Sequence, residues 1–110
     1  MKLNTIELDG AVLDWAAAKC EGIEWEEGDF YSGGYGPGFE PSTNWSDAGT
    51  IIDRERITIC PNTDSTWWAV HPGTELEVHG ATALQAAVRA YVHAKFGDEI
   101  EVPDDLLEVA

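Results

Sequence analysis

The chain is poor in positive charge. Against 21 Asp and Glu it carries only six Lys and Arg, for a formal net charge of −15 at neutral pH. Such a surface repels nucleic acid and anionic membranes, so no direct nucleic-acid binding is expected and basic proteins are the favoured macromolecular partners. A solubility surface is the plainer reading of the same charge, and an imitation of the DNA phosphate backbone the sharper one. Cysteine is scarce as well: Cys20 and Cys60 lack CxxC spacing and read most simply as buried thiols. No apolar run approaches the roughly 18–20 residues that cross a bilayer. Glu7, Asp9 and Asp14 interrupt the start of the chain where a signal peptide needs an apolar stretch. A soluble intracellular protein without a membrane partner is the expectation.

Catalytic signatures are missing too. No GxSxG, P-loop or HExxH occurs. The stretch Gly33 to Gly38, GGYGPG, lacks the strand and helix that a phosphate-cradling loop needs, and Pro37 removes a donor. His71 and His79 could meet on neighbouring strands, but capping or surface roles are the simpler reading of all three histidines, including His93. The acid pairs Glu26-Glu27 and Asp104-Asp105 look like solvated charge. Neither a nucleophile nor a general base stands out. The chain is expected to bind rather than catalyse, with no cofactor and no metal.

What is present suits one folded α+β domain spanning residues 1–110. Hydrophobic residues make up 44% and five are Trp, unlike a disordered acidic tail. A first helix is predicted from Asp9 to Glu21, with Asp9 as N-cap, the stripe Leu13, Ala16, Ala17, Cys20, and Gly22 as its stop. Residues 23 to 49 are dense in Gly and Pro and read as a long aromatic-rich loop of functional type. Strands are predicted within Ile51 to Cys60, from Thr66 to His71, and over Glu75 to Gly80, where Leu76 and Val78 share a face. A second helix runs from Ala83 to Phe96. Thr82 and Gln85 form its capping box, Leu84, Ala87, Val88, Tyr91 and Val92 its apolar stripe, and Gly97 its end. The acidic tail includes an extended Val102-Pro103. The architecture expected is a short antiparallel sheet packed with two main helices, in the manner of an α/β/α sandwich, with a long Gly- and aromatic-rich loop.

Two of the six cations, Arg54 and Arg56, sit one residue apart. On a strand both would face the same side and form a fork for phosphate or carboxylate. Tyr31, Tyr35, Trp45 and Trp67 would offer stacking faces, and Ser42, Thr43 and Asn44 polar partners. These nine residues form the candidate site for a small anionic, nucleotide-derived ligand. The alternative is structural: the arginines tie Asp53, Glu55 or the acidic tail to the sheet, and the Trp residues fill the core.

Three separated motifs resemble a known family. IELDGAVLDWAAAKCEG, PSTNWSDAGTIIDRERI and GATALQAAVRAYVHAKFGDEIEVPDDL, with Trp68-Ala69 between the last two, are similar to the NinX-like small proteins of tailed phages and the related phage ABA-sandwich domain family. The similar positions are Trp15 and Lys19; Pro41, Ser42, Thr43, Trp45, Gly49, Ile51 and Ile52; Arg54, Arg56 and Ile57; Trp68 and Ala69; and Leu84, Arg89 and Val92. Asn44 stands where Asp is the more usual residue. The resemblance implies a short accessory phage protein of mixed helix and sheet, without an assigned enzymatic activity, in the cytoplasm of an infected or lysogenic bacterium. Two roles follow as expectations. One is an anti-defence protein that sequesters a small anionic nucleotide-derived ligand. The other is an acidic inhibitor of a basic host protein, of the DNA-mimic, anti-restriction or anti-CRISPR type. A homo-oligomer is compatible with either.

Overall fold

The computed structural model describes residues 1–23 and 39–109. In chain order these form β1 (Lys2–Asn4), a 3-10 turn (Thr5–Glu7), α1 (Gly10–Cys20), α2 (Trp45–Glu55), β2 (Thr58–Pro61), β3 (Trp67–Val70), β4 (Val78–Gly80), α3 (Ala83–Phe96), β5 (Glu99–Glu101) and α4 (Asp104–Val109). The fold is α+β with short antiparallel sheets.

The helix α3 organises the molecule. Thr82 Oγ1 accepts the Gln85 N–H at 3.1 Å, and Gln85 Oε1 accepts the Ala81 N–H at 2.7 Å. This is a reciprocal cap shifted by one residue from the usual box. The expected stripe is buried. Val88 and Val92 join Leu13, Trp15, Ala16, Ile100, Val102 and Leu106 in one cluster. Ala86, Ala87, Ala90 and Tyr91 join Ile51, Ile57, Ala69 and Val78 in a second. Thus α3 separates two cores, with Cys20 and Phe39 packed against both. Gly97, at φ 82°, ends the helix in a conformation that suits glycine.

The three-stranded sheet has the order β2-β3-β4, all antiparallel, with Ile59 opposite Ala69 and Trp68 opposite His79. Asp64 Oδ1 accepts from Thr66 N–H at 3.1 Å and shapes the β2–β3 turn. The third strand is shorter than the expected Glu75 to Gly80. Pairing begins at Val78 because its neighbour leaves the sheet after Val70, where Thr74 N–H closes a turn on the His71 carbonyl at 2.9 Å. Leu76 is therefore 40% exposed and does not share the buried face of Val78.

A two-stranded sheet pairs β1 with β5, Leu3 opposite Ile100. Neither strand nor α4 is marked by local pattern. Thr5, fully buried, donates its hydroxyl to Gly97 O at 2.6 Å and pins the N-terminal turn to the end of α3. Arg89 does the same at the other end: its Nε donates to Leu8 O at 2.6 Å and its Nη1 to His79 O at 2.9 Å.

The largest departure from the sequence reading is α2. The loop expected to reach residue 49 and the strand expected from Ile51 are replaced by a helix over Trp45–Glu55. Asn44 starts it: its Oδ1 accepts from Ser46 N–H at 2.8 Å and Asp47 N–H at 3.2 Å. Ala48 and Ile51, three apart, are buried beneath it. Asp9, by contrast, makes no side-chain cap at α1; only its carbonyl accepts, from Leu13 N–H at 3.2 Å.

Candidate functional site

The helical course of α2 dismantles the expected arginine fork. Arg54 lies in the last turn of α2, while Arg56 is its C-cap at φ 55°, ψ 45°, a left-handed residue. Their side chains do not share a strand face.

Arg54 is the hub of an internal charge cluster. Its Nη1 and Nη2 clasp the Glu21 carboxylate at 3.0 and 2.6 Å, and its Nε donates to Glu55 Oε2 at 3.0 Å. The Tyr91 hydroxyl, which donates to Glu21 in a short hydrogen bond, accepts from Arg54 Nη2 at 3.3 Å. Glu55 Oε1 meets His71 Nε2 at 2.8 Å and Lys95 Nζ at 3.4 Å. Gly73 N–H donates to His71 Nδ1 at 2.8 Å. Nδ1 is therefore the acceptor, and Nε2 carries the proton it donates to Glu55.

The pKa directions follow these contacts. Hydrogen bonds from His71 and then Arg54 hold Glu55 at about 2. Burial pushes Glu21 upward, but the hydrogen bonds from Arg54 and Tyr91 outweigh it and leave it below its usual value. Burial and the Glu21 carboxylate push Tyr91 up. Burial raises the neighbouring Cys20 thiol to about 12, so it is inert rather than nucleophilic. Cys20 and Cys60 are both free. Every member of the cluster has a partner, so it ties the ends of α1, α2, β3 and α3 together and leaves Arg54 no open fork.

Arg54→Ala is expected to lower stability by about 1–2 kcal/mol, because Glu21 and Tyr91 lose a shared partner while half-exposed Arg54 limits the effect. Thermal melting at pH 7 checks this, with Arg54→Lys intermediate because it keeps charge without the planar fork. Equal melting of all three proteins would show the cluster to be energetically idle.

The other sequence-selected residues gather elsewhere. Ser42, Thr43 and Trp45 line a cavity of about 260 Å³ with Thr82, Ala83 and Leu84 at the start of α3. Their loop is held by Ser42 N–H on Asp14 Oδ1 at 2.8 Å and Glu40 N–H on Asp47 Oδ2 at 2.9 Å. Trp45 is 61% exposed. The Ser42 hydroxyl is buried without a partner among the described residues. Ala83 and Leu84, in the first turn of α3, have N–H groups with no intrahelical acceptor. Asn44 is used up as the α2 cap. Trp67 packs against the second core cluster and does not line this cavity. Tyr31, Tyr35 and the Gly33 to Gly38 stretch lie outside the described residues. Sequence reasoning missed the contribution of Thr82 to Leu84, whose capping pattern was legible but whose proximity to Ser42 was not.

A second feature was also missed, an open groove of about 630 Å³ that Trp15, Lys19 and Phe96 share with Glu99, Glu101 and Asp104. Among the described residues, no three His, Cys, Asp or Glu side chains converge as metal ligands. No helix among them is long and apolar enough to cross a membrane.

Residues 4–95 match the model of a protein family described as Bacteriophage P22, NinX. No curated protein matches the chain.

Proposed function

From the premise that the chain belongs to the bacteriophage P22 NinX family, we propose that it is an accessory phage protein that inhibits a basic host protein, in an anti-defence role. The observation that carries this reading is the disposition of charge. Arg54 and Lys95 are paired with carboxylates, Arg89 is on backbone carbonyls, and Lys19 lies 5.4 Å from the Trp15 ring centroid. Meanwhile Asp98, Glu99, Glu101, Asp104, Asp105 and Glu108 are all exposed. Four of the six Lys and Arg are thus engaged locally, Lys2 and Arg56 being exposed, while these carboxylates face outward. Such a field speeds encounter with a basic protein and turns away nucleic acid. Capture of a host protein on the immobilised chain, followed by association kinetics from 50 to 300 mM salt, tests it. A captured basic protein whose on-rate falls steeply with salt is the expected result. A captured partner with a salt-independent on-rate counts against the reading.

A second reading has its own observation, the cavity beside Ser42. An exposed indole, a hydroxyl buried without a partner among the described residues and the first-turn N–H groups of α3, which lack an intrahelical acceptor, suit part of a small anionic nucleotide-derived molecule. Its support comes from Ser42, Thr43 and Trp45 rather than from the arginines. Nucleotides, cyclic oligonucleotides and ADP-ribose derivatives are expected to include one that raises the melting temperature of wild type and not of Trp45→Ala. Binding at a ligand concentration 100-fold above Kd stabilises by about 2.7 kcal/mol. The absence of any rise would sink this reading.

A further inference from the structure

We infer that the open groove between α1, the end of α3 and the β5–α4 segment docks a basic segment of a partner protein that carries one bulky apolar side chain among its Lys and Arg residues. The inference rests on the reading of the chain as an acidic binding protein and gives that reading a location and a recognised chemistry.

Simple periodicities build the groove. Trp15 and Lys19 are four apart on α1 and share a face. Glu99 and Glu101 alternate with Ile100 on β5, so both carboxylates point outward while Ile100 is buried. Phe96 ends α3 and is 36% exposed, one of few large apolar side chains left open to solvent among the described residues. Asp104 opens α4. Phe96, together with the exposed edge of the otherwise buried Trp15 (7% exposed), thus forms a floor bordered by an acidic rim.

The charges specify the occupant. From Asp98 to Asp105 the chain exposes five carboxylates: Asp98, Glu99, Glu101, Asp104 and Asp105. Three cations lie at or beside the groove, one of them Lys2, exposed and directly opposite Glu101 in the β1–β5 register. Lys19 rests near the Trp15 ring, and the Met1 amine bridges Glu101 at 2.9 Å and Asp104 at 3.6 Å. The excess is negative. Both ion pairs of the amine involve highly exposed carboxylates, which an incoming guanidinium can share at little cost. Charge alone would attract any basic surface. The aromatic floor adds selectivity, because a buried Leu- or Trp-sized anchor supplies most of the energy while rim charges set approach and orientation. A groove of about 630 Å³ has room for such an anchor and its neighbours. The acidic rim turns a nucleic acid away.

The test titrates the ¹⁵N-labelled full chain with three synthetic peptides of equal length at 50 and 150 mM salt. The first carries Lys and Arg around one Trp, the second has Ala for the Trp, and the third keeps the Trp but has Gln for every cation. The first peptide is expected to bind at least tenfold more tightly than either other. Its shifts should centre on the Trp15 indole, Phe96 and residues 99–104. Phe96→Ser should weaken it at least tenfold. Leu76→Ser, at an exposed apolar position outside the groove, should not. The double variant Glu101→Gln, Asp104→Asn is a second probe that leaves the apolar floor intact. If the Ala peptide binds as tightly, with shifts spread over the acidic surface, the groove is overturned while the acidic-binder reading stands. If the Gln peptide binds as tightly, the basic occupant is overturned. If no peptide binds at 50 mM salt, the groove proposal falls, whereas the acidic-binder reading is judged separately by the host-protein capture.

Discussion

Gly80→Ala is expected to destabilise the protein by about 2–3 kcal/mol, the upper part of the range for an added methyl that overpacks a well-packed site. Gly80 ends β4 where the strand meets the first turn of α3. A Cβ built there would lie 2.6 Å from Ala86 N, 3.0 Å from Ala86 Cα and 3.1 Å from the Gln85 carbonyl carbon. All three are backbone atoms of a capped helix, so no side chain can swing aside. Relief requires moving α3 away from the sheet, which opens the cluster around Ala69, Val78, Ala86 and Ala87. For a chain of this size the melting temperature should fall by roughly 10 °C. Gly49→Ala provides the opposite case. Gly49 lies inside α2 with nothing within 4 Å of its added Cβ. Removing a helix-interior glycine there should stabilise by about 0.5–1 kcal/mol. Two Gly→Ala changes of opposite sign are thus expected in one domain, checked by thermal or urea unfolding. A neutral Gly80→Ala would mean that α3 is not held against β4 as closely as 2.6 Å implies.

Asp14 governs the second large effect. It is 4% exposed within α1, and burial raises it from 3.8 to about 6, against the lowering by the Ser42 N–H and by the nearby Ser42 side chain, with Glu40 and Asp47 adding to the rise. A carboxylate whose folded pKa exceeds its unfolded pKa disfavours folding when ionised. Its penalty is fully present above pH 6 and disappears as the pH falls toward 3.8. That gap sets an upper bound of about 3 kcal/mol. Glu55 has the opposite sign. Held at about 2 in the fold, its contribution is complete above its ordinary 4.5 and is lost as the pH falls toward 2. Stability should therefore rise from pH 7 to about 5 and fall steeply below 4. Relief of general repulsion among 21 acidic residues acts in the same upward direction. Asp14→Asn separates the two, since the amide oxygen can still accept the Ser42 N–H without ionising. The variant should be more stable than wild type at pH 7 and converge with it near pH 4. Parallel pH profiles for the two proteins would remove Asp14 from the account.

Much of the fold was legible in local pattern. The whole of α3 could be read, from the Thr82 cap through the Leu84, Ala87, Val88, Tyr91, Val92 stripe to Gly97. So could α1, Gly22 at its end, and the β2–β3 hairpin. These elements declare themselves within a window of a few residues, by capping chemistry and by period. What failed was α2. Gly49 and the β-branched run Thr50, Ile51, Ile52 argue against helix in isolation. The helix forms because Asn44 caps it and Ala48 and Ile51 are buried, Ile51 in one cluster with Tyr91, a partner 40 residues further along the chain. Tertiary burial outweighs a few tenths of a kcal/mol per residue of unfavourable propensity.

The candidate sites divide in the same way. Ser42, Thr43 and Trp45 stood out from sequence alone, whereas the acidic tail read as solvated charge. Their grouping did not. The Arg54 guanidinium turned to Glu21 because a helix, not a strand, delivers it beside the end of α1. The β1–β5 pairing that completes the open groove joins Lys2 to Glu101, a contact that no local window contains. Composition and short-range periodicity determined the charge, the main helices and the absence of a catalytic motif. Which charges are neutralised and which remain open was decided by tertiary structure, because Coulomb and hydrogen-bond energies act over ångströms in space and not along the chain.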